Sequence, residues 1–213
     1  MSKYDEILRL FNVEKPVGYT AEVIKKAKSV VGDLPSELEK FYLYCGASEK
    51  LHHLQDELIL PDRFDDFAAW DYIIFFNENQ GVCQAGVKKS DAALDDPPVY
   101  ARVDDEEWKL SSPCVSDFLC AMFDYQASIC LEFNPEDFFF ITAEEKVKVE
   151  KLFPRLGGFD NWLYDCNVTV YGENGGRIAL MENGGDIQMN IAANNEREYK
   201  RIMSLLDGVG EPM

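Results

Sequence analysis

The chain has 213 residues, 46% of them apolar and 28% charged, an ordinary globular composition that argues against disorder. A chain of this length buries roughly 70% of its unfolded surface and needs no disulfide or metal to close a core, and its apolar runs, such as 73–76 and 138–141, are too short to span a bilayer. With 39 Asp and Glu against 21 Lys and Arg, the formal charge is −18, which disfavours nucleic acid and anionic membranes as partners and either steers basic proteins in or serves only to keep the chain in solution.

The N-terminus carries acids and no apolar run, so no secretory signal is expected. The first predicted element is a helix over 21–31, capped by Thr20, with Val23, Ile24, Ala27, Val30 and Val31 on one face and Gly32 as its stop. A second follows from Pro35, placed at the first helical position, through Leu38, Phe41, Tyr42 and Cys45 to Gly46. The period then changes to that of strands. Residues 57–61 read as a short strand, 72–76 as a buried one, 77–81 as a turn and 82–87 as the returning hairpin partner. Another strand is expected over 97–103, followed by a polar turn with Trp108 behind it. Ser116 is a candidate cap for a helix through Asp117, Phe118, Leu119, Ala121 and Met122.

Beyond Phe133 the pattern predicts a strand over 138–141, then a helix opened by the capping box Thr142-Ala143-Glu144-Glu145 and ending before Pro154. The repeated turns Glu173-Asn174-Gly175-Gly176 and Glu182-Asn183-Gly184-Gly185 predict a three-strand meander. Asn195 and Glu198 start a last helix with Tyr199, Ile202, Met203 and Leu206 facing inward and Gly208 closing it. The expected fold is α+β, a largely antiparallel sheet flanked by helices.

Reactive groups are sparse. His52 and His53 are the only histidines, and adjacent positions on a regular element point apart, so even with Asp56 nearby they make a poor metal site. The sequence has no nucleophile elbow and no phosphate loop, and the paired glycines sit in hairpin turns. None of the six cysteines forms a C-x-x-C pair, and most adjoin apolar residues, which predicts buried thiols in a reducing, cytoplasmic setting. The run Asp104-Asp105-Glu106-Glu107 lacks the glycine that would fold it around a cation and reads as a solvated turn. No metal or cofactor is expected.

The acidity is uneven. Between Asp95 and Asp137 eleven acids stand against Arg102 and Lys109, half of the net charge in a fifth of the chain, with aromatic residues interleaved. Carboxylates supply steering and register, and Tyr and Trp supply binding hot spots. The candidate partner-binding residues are therefore Asp95, Asp96, Tyr100, Asp104, Asp105, Glu106, Glu107 and Trp108. The alternative places the aromatics in the core and the acids in water.

One ordered set of motifs resembles a known family. Leu34-Pro35 with Leu38, Phe41 and Tyr42, then Tyr72-Ile73-Ile74-Phe75-Phe76 and Glu78-Asn79-Gln80-Gly81-Val82, then Gly86-Val87, Pro97-Pro98-Val99, Trp108 and Ser116-Asp117-Phe118-Leu119 are similar to the SUKH superfamily, which includes bacterial immunity proteins and Smi/Knr-type regulators of cell-wall glucan synthesis. The chain departs from that pattern at Ala85 and at Cys45-Gly46. The resemblance, which covers 34 to about 127, implies one SUKH-like domain over 1–213 with its core at about 20–135; the strand, helix, three-strand meander and helix read from the pattern over about 136–213 lie outside it and form a C-terminal α+β elaboration. It further implies an α+β fold that works by binding, without catalysis. The expected function is an immunity protein that neutralises a basic, nuclease-like toxin domain. The alternatives are a regulatory scaffold of the cell-wall type and, from a different class, a hydrolase or small-ligand enzyme built on converging carboxylates of perturbed pKa.

Overall fold

The computed structural model describes residues 2–52 and 54–212, so His53 lies outside the described residues. Three short helices come first: α1 (Asp5–Leu10), α2 (Ala21–Val31) and α3 (Ser36–Tyr44). They lead into a five-stranded antiparallel sheet, β1 (Glu57–Leu58), β2 (Tyr72–Asn77), β3 (Cys83–Lys88), β4 (Val99–Val103) and β5 (Lys109–Ser112), whose spatial order is the chain order. Helix α4 (Val115–Cys130) follows. The remainder is β6 (Phe139–Ile141), α5 (Ala143–Leu152), β7 (Arg155–Trp162), β8 (Cys166–Tyr171), β9 (Gly176–Asn183), β10 (Asp186–Ala193), α6 (Glu196–Leu205) and β11 (Glu211–Pro212). Its strands form a six-stranded sheet in the order β11-β6-β10-β9-β8-β7. The fold is α+β, with two antiparallel sheets where the sequence suggested one.

Helix α4 explains how two sheets make one body. A helix with one apolar stripe lies on a surface, whereas one that is apolar on all sides is enclosed. Twelve of the sixteen residues of α4 are buried. Phe118 packs against Phe75 and Phe76 of the first sheet and against Phe159 and Trp162 of the second, and Phe123 meets Phe76 and Phe41. The larger hydrophobic core accordingly draws on residues from Tyr4 to Ala192. A second, smaller core lies on the far face of the six-stranded sheet, under α5 and α6, around Val149, Phe153, Ile178, Met189 and Ile202.

Several local expectations are met by their physical causes. The Thr20 hydroxyl accepts from the Val23 amide, Thr142 and Glu145 form both halves of the capping box, and Asn195 accepts from the Glu198 amide. Gly184 and Gly185 turn β9 into β10 with φ of 60° and 107°, the left-handed region that glycine enters without a steric penalty.

Other expectations are corrected. Pro35 precedes α3 instead of opening it, and Pro61 turns the chain into a 3-10 helix (Pro61–Phe67), which cuts β1 to two residues. Ser116 is not the cap of α4: the helix begins at Val115, and the Ser116 amide and hydroxyl donate to Asp96 at 2.9 and 2.6 Å. The strand β5 and the helix α1 were not expected, each being too short to show a period. The meander has four strands, because β7 precedes it. Its Gly157-Gly158 pair masks a strand, and a Cβ at Gly157 would stand 3.2 Å from Ala121 of α4 while one at Gly158 would meet the Val168 carbonyl at 2.5 Å. Glycine marks close backbone approach at both positions.

Among the described residues no helix is long and apolar enough to cross a membrane, and no cluster of three or more His, Cys, Asp or Glu is placed to hold a metal ion. All six cysteines are free, and burial pushes the Cys45, Cys83 and Cys120 thiols up to about 12.

An aromatic sheet face bordered by an acidic turn

The candidate surface is built on β4. Its sequence Val-Tyr-Ala-Arg-Val alternates with the strand period, so Val99, Ala101 and Val103 enter the core while Tyr100 and Arg102 point the other way, half-buried. Pairing brings Gly86 and Leu110 beside Tyr100, Gln84 beside Arg102, and Lys88 beside Tyr72 on that same face. The Tyr72 and Trp108 rings stack with centroids 4.0 Å apart and planes at 15°, and Tyr100 meets Tyr72 edge-on at 5.8 Å. Trp70 meets Trp108 edge-on at 6.4 Å. Each of these four rings keeps part of its surface in solvent.

Two cations complete the face without a carboxylate partner among the ion pairs of the described residues. The Arg102 guanidinium carbon lies 4.2 Å from the Trp70 centroid and 5.3 Å from that of Trp108, and its Nη2 donates to Gln84 at 3.3 Å. Its Nε is buried and has no hydrogen-bond partner. The Lys88 ammonium stands 4.3 Å from the Tyr100 ring centroid. Trp, Tyr and Arg gathered in one half-exposed patch are the side chains that most often dominate binding energy, and such ring–cation contacts contribute about 0.5–1 kcal/mol each at exposed sites.

The four acids Asp104, Asp105, Glu106 and Glu107 form the β4–β5 turn at one end of this face, and all are exposed. Asp104 turns the chain with φ of 45°, and its amide donates to the Val82 carbonyl at 2.7 Å, which ties the acidic turn to the β2–β3 turn. That neighbour is itself fixed by buried carboxylates. Glu78 accepts from the Gln80 and Val82 amides at 2.9 and 3.3 Å, and Asp56 accepts from the Asn79 amide at 3.3 Å and from the Gln126 side chain at 2.8 Å. Burial pushes the Asp56 carboxyl up to about 6, against the pull of these hydrogen bonds and with a further push from Glu78.

The eight residues singled out from the sequence therefore divide. Tyr100 and Trp108 converge on Tyr72, with the acids 104–107 beside them. Asp95 and Asp96 do not join them: they precede β4 and so lie at its opposite end. There they secure helix starts, the Asp95 carboxylate accepting from the Ser36 hydroxyl and its carbonyl from the Glu37 amide, and Asp96 accepting from Ser116. A carboxylate at a helix N-terminus satisfies amides that have no intrahelical partner, so both are structural. Trp70, Tyr72, Lys88 and Arg102 were missed, although for the last three the alternation in β4 and the Tyr72–Lys88 pairing of a recognisable hairpin carried the signal. His52 lies with Nε2 2.7 Å from the Gly46 carbonyl. Comparison with family models, curated proteins and solved structures finds no match.

Proposed function

We propose that this chain is a non-enzymatic recognition module that binds a basic protein, and that it acts as an immunity protein against a nuclease-like toxin domain, as the SUKH resemblance implies. The observation that carries the reading is the half-exposed cluster of Trp70, Tyr72, Tyr100, Trp108 and Arg102 set against four exposed acids. The acids would raise the encounter rate with a basic surface, and the aromatic face would hold it. A hydrolytic reading draws less support, because Asp56, the acid pushed to about 6, is only 3% exposed and committed to Gln126 and Asn79. The open cleft of about 460 Å³ beside Leu10 is lined instead by Glu49, Lys50, Leu54, Cys130 and Glu132. Six free thiols fit a reducing, cytoplasmic setting.

The test is capture from the native cell at low and high salt, followed by association kinetics with the purified partner. A basic nuclease recovered at low salt is expected, and the variant Asp104→Lys/Asp105→Lys/Glu107→Lys should slow its association roughly tenfold or more. An association rate that ignores both salt and these reversals would sink the acidic-turn reading. Recovery of a cell-wall synthesis complex in place of a nuclease would transfer the proposal to the regulatory scaffold.

A further inference from the structure

The β7–β8 turn lies against the acidic turn, and it presents the most exposed large apolar side chain among the described residues, Tyr164, at 60%. We propose that the docking surface crosses from the first sheet onto the second, with Tyr164 as its outer anchor, and that its occupant is a Lys- or Arg-presenting loop of a basic protein. This inference rests on the binding role proposed above.

Two links weld the turns together. The Lys109 ammonium bridges Glu106 at 3.5 Å and Asp165 at 2.6 Å, and the Asn161 side chain donates to the Leu110 carbonyl at 2.6 Å. From behind, the Asn183 side chain donates to the Tyr164 carbonyl at 3.0 Å. Tyr164 thus has a fixed backbone and a ring in solvent. Its neighbours share an unusual conformation: Leu163, Tyr164 and Asp165 have φ of 42°, 59° and 65°. For residues bearing a Cβ this region costs roughly 1–2 kcal/mol each, so the exposed ring is placed against local preference. An aromatic side chain has only two rotatable bonds to order once its backbone is held, so it loses little conformational freedom on binding.

Charge selects the occupant. Asp104, Asp105, Glu107, Asp160 and Asp165 are exposed around the two turns, while Lys109, the cation between them, is engaged by Glu106 and Asp165. An acidic partner would be repelled. A Lys or Arg side chain finds carboxylates on its flanks and the face of Tyr164 beneath it, the arrangement that favours cations on aromatic rings. Leu110, 54% exposed and paired with Tyr100, lies on the first-sheet face that this surface extends.

The test uses the full chain and a random peptide library displayed on phage. Enriched peptides should carry net positive charge, and a synthetic copy should lose roughly tenfold or more in affinity to Tyr164→Asn. Asparagine tolerates left-handed backbone, so that variant removes the ring and spares the turn, as an unchanged circular dichroism spectrum would verify. The triple reversal at 104, 105 and 107 should weaken the same peptide comparably. Basic peptides lost to the reversal but indifferent to Tyr164→Asn would overturn the composite surface and leave the basic-partner reading standing. Peptides sensitive to Tyr164→Asn alone, neutral or acidic peptides, or no enrichment at all would overturn both.

Discussion

The two sheets are treated differently by the rest of the molecule. The six-stranded sheet is covered on one face by α4 and on the other by α5 and α6, and its central strand β9 buries Gly176 to Met181 without interruption. The five-stranded sheet gives one face to α4 and leaves Lys88, Tyr100, Arg102 and Leu110 of the other in contact with water. A sheet enclosed on both faces has no surface for a partner, and its strands read as apolar runs; a sheet with one open face alternates and can specialise that face. On the binding role proposed above, stability and recognition would fall to different sheets, with the β7–β8 turn as the place where the second sheet reaches the first one's surface.

Substitutions can break that division. The largest effect is expected at Arg177 of β9, which is 1% exposed and whose guanidinium holds Asp124 of α4 at 2.6 Å and Glu6 of α1 at 2.8 Å. Arg177→Met leaves Asp124 buried without its partner and should cost about 3–5 kcal/mol in urea unfolding, with little effect on partner affinity in whatever fraction remains folded. A loss below about 1 kcal/mol would mean that Asp124 reaches water, contrary to the enclosed character of α4.

A smaller, pH-dependent effect belongs to Asp56. Its folded pKa, about 6, stands above the ordinary carboxylate value of 3.8. Between those values the native state holds the proton more tightly than the unfolded chain, so this group makes stability fall as pH rises. The contribution should amount to about 1 kcal/mol between about pH 5 and about pH 7. Urea unfolding across that window should show a shallower decline in Asp56→Asn than in the parent chain, and parallel curves would place the titration elsewhere.

The smallest loss of stability is expected on the open face. Trp108→Ala removes the stack on Tyr72 and should cost about 1 kcal/mol, against roughly tenfold or more in partner affinity measured by calorimetry. If stability falls by several kcal/mol and affinity does not change, the aromatic cluster is a satellite core and the division between the sheets is wrong.

Most elements were legible where the signal is carried within a few residues of the chain. Thr20, Thr142 and Asn195 cap helices with their own side chains, and Asn183-Gly184-Gly185 closes a hairpin by conformational preference. Legibility failed where a distant residue decides the outcome. Asp96 caps α4 from 20 residues away, so Ser116 was misread as the cap; β7, whose Gly157 packs on Ala121 of α4, was not expected at all. The candidate surface shows the same split. Tyr100 and Trp108 could be chosen by residue type, but Asp95 and Asp96 were grouped with the later acids by closeness in sequence, which a five-residue strand undoes by separating its two ends. Trp70 joins through a tertiary stack on Arg102 at 4.2 Å that no spacing along the chain reveals.

The enclosure of α4 has a consequence for how the chain acquires its structure. Residues 115–130 cannot bury both flanks until strands from either side of them in sequence have assembled, so neither half has a complete interior on its own. Pairings of this kind join residues far apart along the chain, as in the Arg177–Glu6 bridge across 171 positions, and they slow folding because long loops close before contacts repay them. Folding is expected to be all-or-none, with calorimetric and van't Hoff enthalpies in agreement. A chain cut after α4 should expose the Phe118 and Tyr125 flank of the helix and collapse into a state that binds hydrophobic dyes and lacks near-ultraviolet dichroism.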